Sequence, residues 1–156
     1  MDRCVIGVDF GSDSVRAVVV NTVSGRVLAS ATSMYPRWKE GKYQHPEKAV
    51  FRQHPLDYIE SFTACVSEAV KLAGSEVAER IAGIGIDTTG STPVAVNRAG
   101  IPLSLTDIFA ENENAMFVLW KDHSAAREAE ELTELFRTAG KRNYLKYMGG
   151  FVHMCG

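Results

Sequence analysis

The chain has 156 residues, of which 46% are apolar and 23% charged, the balance of an ordinary soluble globular domain. Its formal charge of −2 comes without any block of like charges, which argues against a nucleic-acid or anionic-membrane partner. Three widely spaced cysteines, Cys4, Cys65 and Cys155, fit reduced thiols rather than a disulfide framework, and no apolar run approaches the roughly 18 residues of a membrane span.

The start, Met-Asp-Arg-Cys, leads into a strand without a signal peptide's apolar region, so a cytoplasmic location is expected. Cys4 to Asp9 is a short apolar run ending on a carboxylate, and Phe10-Gly11-Ser12-Asp13-Ser14 is a turn of small residues. Val15 to Asn21 is rich in β-branched residues, as a buried strand should be. After the turn Thr22-Val23-Ser24-Gly25, Arg26 to Tyr35 predicts a third strand, with Val27, Ala29 and Ala31 alternating against Leu28, Ser30 and Thr32. Three strands on short turns predict an antiparallel meander. Pro36 to Gln53 predicts a polar loop bearing Trp38, Tyr43 and His45, long enough to favour a functional excursion. Pro55 opens a helix predicted to run to Ala73, with Ile59, Phe62, Val66, Ala69, Val70 and Ala73 on its apolar stripe and Gly74 at its end.

Ile81 to Asp87 predicts another buried strand ending on a carboxylate, followed by Thr88-Thr89-Gly90-Ser91, a short strand from Pro93 to Val96, and the turn Asn97-Arg98-Ala99-Gly100. Leu105 to Asn114 is mostly polar loop, and Ala115 to Trp120 is apolar. A second helix is expected over Ala125 to Ala139, striped by Ala125, Ala129, Leu132, Phe136 and Ala139, stopped at Gly140, with Lys141 and Arg142 at its negative end. Tyr144 to Gly156 carries no recognisable terminal element and reads as a chain cut mid-domain. The order β-β-β-α-β-β-α predicts an α/β fold, a mixed sheet with helices packed on it.

The first and fourth strands both end on an aspartate followed by small hydroxyl and glycine residues, and ligands of open α/β sheets bind at such carboxyl ends. Gly11 permits a close backbone approach, and successive N–H groups with the Ser12 and Ser14 hydroxyls can cradle phosphate oxygens. Asp9 can hold Mg²⁺ directly or through water, which completes the parts phosphoryl transfer needs. The same residues also suit a hairpin turn with no ligand. There is no GxxxxGK[ST], which excludes a P-loop, and Gly83-Ile84-Gly85 lies within a strand, where close packing explains it better than a dinucleotide fingerprint. His45, His54, His123 and His153 lack metal-ligand spacing, so capping or solvent exposure is expected of them.

The run from Asp9 to Arg16, with the meander after it, resembles the first phosphate motif of the actin, heat-shock ATPase and sugar-kinase superfamily. Gly85-Ile86-Asp87-Thr88-Thr89-Gly90-Ser91-Thr92-Pro93, the run from Ala110 to His123, Tyr35-Pro36-Arg37-Trp38 and His54-Pro55-Leu56-Asp57-Tyr58 narrow the resemblance to the FGGY carbohydrate kinases, and to their ribulokinase branch rather than glycerol kinases or xylulokinases. The resemblance covers nearly the whole chain.

It implies an actin-like, ribonuclease H-like N-terminal kinase domain, with residues 1–156 forming part of the sugar-binding domain and the nucleotide-binding domain absent. The activity implied for the full protein is ATP-dependent phosphorylation of L-ribulose, or a related pentulose, to L-ribulose 5-phosphate in L-arabinose catabolism. Asp9 is then the catalytic residue that helps place Mg²⁺, and Gly11, Ser12, Asp13 and Ser14 face the γ-phosphate of ATP, although position 13 holds an acid where many relatives have a small hydroxyl residue. Thr89, Gly90 and Ser91 line the sugar pocket, Trp120 lies against the sugar's carbon face, and Lys121 and Asp122 partner its hydroxyls. From the residues alone, Trp120 reads as a core aromatic, and Asp122 could equally cap the following helix. The family's general base lies beyond residue 156, so the fragment is expected to be inactive alone and to associate through exposed apolar surface. The alternative is a non-catalytic sugar-binding or interaction module.

Overall fold

Residues 2–138 and 144–152 are described by the structure, a computed structural model. Strand β1 (Cys4–Phe10) and strand β2 (Ser14–Asn21) pair antiparallel, and every second residue of each turns to one side. Cys4, Ile6, Val8, Val15, Ala17 and Val19 are all buried there. Fully burying one such aliphatic side chain contributes about 1.5–3 kcal/mol, so this row is the main source of cohesion. Strand β3 (Val27–Met34) completes the predicted meander. Its phase differs from the simple alternation: a register shift opposite Val19 and Val20 leaves Val27 exposed while Leu28 packs on the core.

The predicted loop between Pro36 and Gln53 is ordered structure. It holds a one-turn helix α1 (Pro36–Lys39) and a small hairpin of β4 (Gln44–His45) and β5 (Val50–Gln53). Asp57, fully buried, fastens α1 by accepting the N–H groups of Arg37 and Trp38, both at 3.1 Å, and Arg37 Nη1 at 2.9 Å. Helix α2 (Pro55–Ala73) has the predicted bounds, with His54 as N-cap and Gly74 at φ 90° after it. Burial lowers the His54 pKa, with Arg37 nearby adding to the effect, and the Leu56 N–H donating to Nδ1 at 3.2 Å makes that nitrogen the bare one. Its buried face is Ser61, Cys65 and Ala69 flanked by Tyr58, Phe62, Val66, Val70 and Ala73, whereas Ile59 is exposed.

A short helix α3 (Ser75–Ala78) leads into β6 (Ile81–Thr88), which pairs parallel to β1. The sheet order is therefore β3-β2-β1-β6, mixed as expected, with β6 at its edge. The expectation of a buried strand fails here. Helix α2 packs over β2 and β3, so Ile84 and Ile86 stay 51% and 64% exposed. Close packing does not explain Gly83 and Gly85 either, because a Cβ added at each would meet nothing within 4 Å. Pro93 to Val96 forms only a single bridge, Val96 to Pro102, rather than a strand.

Strand β7 (Phe117–Val118) joins β5, and helix α4 (Ala126–Thr138) buries Ala129 and Thr133 while Leu132 remains exposed. Where no element was predicted, Tyr144–Tyr147 forms a 3₁₀ turn, and the Val152 N–H donates to Thr133 Oγ1 at 2.9 Å. Ala139, Gly140, Lys141, Arg142, His153 and Cys155 lie outside the described residues. Cys4 and Cys65 are buried free thiols. No helix among the described residues is long and apolar enough to cross a membrane.

An edge strand of eight residues that carries one charge and two bare isoleucines has little to discourage pairing. The 156-residue chain is expected to sediment as dimers or larger species at tens of micromolar. The Ile84→Lys/Ile86→Lys pair should return it to a monomer. A parent that stays monomeric would show that this face does not associate.

Candidate active site

The chain reverses between β1 and β2 in three residues, and each of their carbonyls is met from elsewhere. The Gly11 carbonyl accepts from the Tyr35 hydroxyl at 3.1 Å, that of Ser12 from Gln53 Nε2 at 2.6 Å, and that of Asp13 from the Tyr35 N–H at 2.9 Å. Burial, then the charge of Tyr58 and nearby acids, push the Tyr35 phenol well above its ordinary value, so it remains a donor. Gln53 is 1% exposed, and its Oε1 accepts from the Tyr58 hydroxyl at 2.5 Å. Beneath the turn Phe10, Tyr35, Tyr58 and Phe62 stack and Phe117 tilts against Tyr58, with ring centroids 4.5–5.8 Å apart. A Cβ at Gly11 would sit tightly against the Ser14 carbonyl, at 3.3 Å.

Asp9 projects from the face of β1 away from α2. Its Oδ2 meets Arg16 Nη2 at 2.6 Å, and the side chain is 42% exposed. Asp87 stands beside it in the parallel register, and the two carboxylates with Arg16, Gly7, Val18 and Gly85 border an open depression of about 540 Å³. Ser14 donates its hydroxyl to the Asp13 carboxylate at 3.0 Å.

The second loop leaves the same end of the sheet, with the Thr89 N–H donating to the Phe10 carbonyl at 3.2 Å. Thr92 Oγ1 donates to the Gly90 carbonyl at 3.1 Å and lies 3.2 Å from Thr89 Oγ1, and Ser91 adopts φ 50°, in the left-handed region. Trp120 is 48% exposed, so it is not a core aromatic, and its indole N–H donates to Ser12 Oγ at 2.9 Å.

The two residues after Trp120 are engaged elsewhere. Lys121 Nζ sits 4.8 Å from the Trp38 ring centre and 4.6 Å from that of Phe51. Asp122 is 2% exposed and accepts from the Phe51 N–H at 2.8 Å, the Ser124 N–H at 3.0 Å and the Ser124 hydroxyl at 2.5 Å. Arg52 Nε lies 3.0 Å from its Oδ2 without alignment for a hydrogen bond, so that contact is an electrostatic one. Lys121 and Asp122, expected as sugar-hydroxyl partners, are thus both engaged in holding the loop. The Ser124 N–H that Asp122 accepts lies in the segment before α4 (Ala126–Thr138), not in the helix itself.

A family description, "FGGY family of carbohydrate kinases, N-terminal domain", matches residues 4–152. The chain belongs to the FGGY family. A ribulokinase of Vibrio parahaemolyticus is 43% identical to this FGGY chain over 146 residues, 94% of the chain and 26% of that protein. A ribulokinase of Halalkalibacterium halodurans is 32% identical over 152 residues, 94% of the chain and 27% of that protein. The FGGY chain therefore spans about a quarter of the length of these relatives. Among solved structures, a xylulose kinase from Lactobacillus acidophilus superposes with a TM-score of 0.64 at 14% identity, over 85% of this chain and 22% of that one. A gluconate kinase from the same organism gives 0.64 at 14%, over 93% and 26%. These superpositions place the FGGY chain in the sugar-kinase fold predicted for it.

In this FGGY domain, sequence reasoning missed Gln53, Tyr35, Arg16 and Asp87. Only Asp87 carried a signal, as the terminal carboxylate of its strand. The donor set fits Mg²⁺, which takes one or two protein carboxylates and completes its shell with water and phosphate oxygens. Asp9 and Asp87, in adjacent register, could supply those carboxylates.

Burial pushes the Asp122 carboxyl up, but the hydrogen bonds from Ser124 and Phe51, with the Arg52 charge, outweigh it and hold the pKa below the ordinary carboxylate range. A depressed folded-state pKa contributes stability that is complete above the unfolded value of about 3.9 and is lost as pH falls toward the folded one. Denaturant unfolding of the FGGY domain followed downward from neutral pH should therefore show stability falling below about pH 4, less steeply in Asp122→Asn. Equal slopes in parent and variant would rule out this contribution.

Proposed function

We propose that the chain is the sugar-binding, phosphate-turn-bearing part of a kinase that transfers the γ-phosphoryl group of ATP to L-ribulose or a related pentulose. One observation carries the reading: the indole of Trp120 is hydrogen-bonded to Ser12, so a flat apolar ring and a phosphate-type turn meet at the carboxyl end of β1. The names of the relatives, ribulokinase at 43% and 32% identity, support a pentulose as substrate.

The ring of Trp120 offers a face for the C–H groups of the sugar, and the loop at Thr89, Gly90 and Ser91 would bound it from the neighbouring strand end. The N–H groups of Ser12 and Asp13 and the Ser12 hydroxyl would receive phosphate oxygens, the Gly11 N–H being bonded to the Ser14 carbonyl at 2.9 Å. Asp13 is a poorer candidate for that contact, since its carboxylate would repel the phosphate and already accepts from Ser14. Asp9, with Asp87 beside it, would hold Mg²⁺, whose charge offsets that of the phosphates when bound. In the transfer a sugar oxygen forms the new O–P bond, the bond to ADP breaks, and the hydroxyl proton passes to a general base expected outside these residues. The 156 residues are then a partial N-terminal domain, with the nucleotide-binding domain supplied by further chain.

Two measurements test this reading. The 156-residue chain should release no ADP with L-ribulose and MgATP, whereas the full kinase should. In the full kinase Asp9→Asn should cut kcat by about tenfold or more while KM for the sugar stays within about twofold, because placement of Mg²⁺ matters chiefly in the transition state. A kcat within about threefold of the parent would leave Asp9 only a structural role.

A further inference from the structure

The hydroxyl of Ser12 is held by its surroundings in an unusual way. A serine hydroxyl has one proton to give and two lone pairs. The indole N–H of Trp120, 108 residues further along the chain, takes one lone pair at 2.9 Å. The main chain of the same residue is pinned from below by Gln53, whose amide has only one workable orientation. Its Nε2 must face the Ser12 carbonyl, an acceptor, and its Oε1 the Tyr58 hydroxyl. Burial, with the charge of Asp57 adding to it, raises the Tyr58 pKa, so that phenol keeps its proton and its role as donor. Among the described residues nothing receives the Ser12 proton. The other hydroxyl of the turn, Ser14, has already given its proton to Asp13.

We propose that Trp120 is a positioning residue for the Ser12 hydroxyl, turning its proton outward to an incoming phosphate oxygen, so that occupancy of the phosphate turn and occupancy of the indole face are coupled. This rests on the kinase reading above and adds a second task for Trp120, separate from stacking. The ring face bears on the sugar's carbons, while the ring N–H bears on the phosphate. A ligand that tightens the Ser12 hydrogen bond fixes the ring for the other ligand, and by linkage the effect is mutual.

The chain has two tryptophans, so a ¹⁵N–¹H spectrum shows two indole signals, and Trp38→Phe assigns them. Titration of the 156-residue chain with inorganic phosphate should move the Trp120 indole signal saturably and leave that of Trp38 in place, since the Trp38 ring packs on Phe51 while the bond to Ser12 comes from Trp120. Ser12→Ala should abolish the movement. A Trp120 signal indifferent to phosphate, or moving equally in Ser12→Ala, would overturn the proposal.

A second arm uses the full kinase with Trp120 replaced by 3-benzothienylalanine, in which sulfur stands for the N–H and the ring face is kept. Loss of one positioned hydrogen bond should lower kcat by about tenfold with KM for L-ribulose within about twofold, whereas Trp120→Phe should also raise KM. If the parent kinase does not turn over L-ribulose, the substrate reading fails and the phosphate titration still decides the coupling. If the parent turns over and the benzothienyl variant matches its kcat, the coupling fails and the substrate reading stands.

Discussion

A three-residue reversal at the end of a central strand leaves the carbonyls of Gly11, Ser12 and Asp13 without sheet partners, and an unsatisfied buried carbonyl costs about 1–3 kcal/mol. The molecule meets them with donors from two distant places, Tyr35 after the third strand and Gln53 before the long helix. The consequence is directional. With its carbonyls drawn toward the protein, and with the Gly11 N–H and the Ser14 hydroxyl bonded within the turn, the N–H groups of Ser12 and Asp13 and the Ser12 hydroxyl are left for whatever lies outside. That is the polarity an anion requires and the opposite of what a cation would select. The aromatic stack under the turn keeps both donors in a dry, rigid setting, where each hydrogen bond is worth more than it would be in water.

Two buried carboxylates repeat the same device on a larger scale. Asp57 gathers the N–H groups of α1, and Asp122 gathers those of β5 and of the segment entering α4. Each has an arginine alongside, Arg37 or Arg52. A buried ion pair gives modest net stability against an apolar alternative, but removing one partner is costly. Such groups therefore specify where a loop sits more than how tightly the domain holds together. Both loops fixed in this way border the turn, so the energetic cost of burial falls where precise placement matters.

The local features of the fold were legible because they are written locally. Pro55 and Gly74 bracket α2, and the β-branched run after Ser14 marks β2. The turn and its aspartate were legible too, since Gly11, Ser12 and Ser14 are adjacent in sequence. Coverage was not legible. Ile81 to Thr88 has the composition of a buried strand, yet exposure depends on where α2 lands, which no local pattern encodes. Gln53, Asp57 and Asp122 look like surface residues in the sequence. Their burial depends on partners 20 to 71 positions away. The hairpin from Gln44 to Gln53 was hidden for another reason: strands of two and four residues are too short for alternation to show.

The direction of Trp120 follows from its neighbours rather than from its own preference. The Asp122 N–H donates to the Leu119 carbonyl at 2.8 Å, closing a four-residue turn whose first and last members are both buried. When the two corners of such a turn are held inward, its central pair must project outward. Leu119 is held by packing and by its own N–H to Phe51, and Asp122 by its hydrogen bonds and by Arg52. The central pair then divides: Lys121 folds back over Trp38 and Phe51, and Trp120 reaches Ser12. An apolar residue is thereby kept half in water against its hydrophobic preference, at a cost of burial that the fold could have recovered by turning it inward. That retained exposure, next to a turn whose donors face out, is what makes the ring available to a ligand.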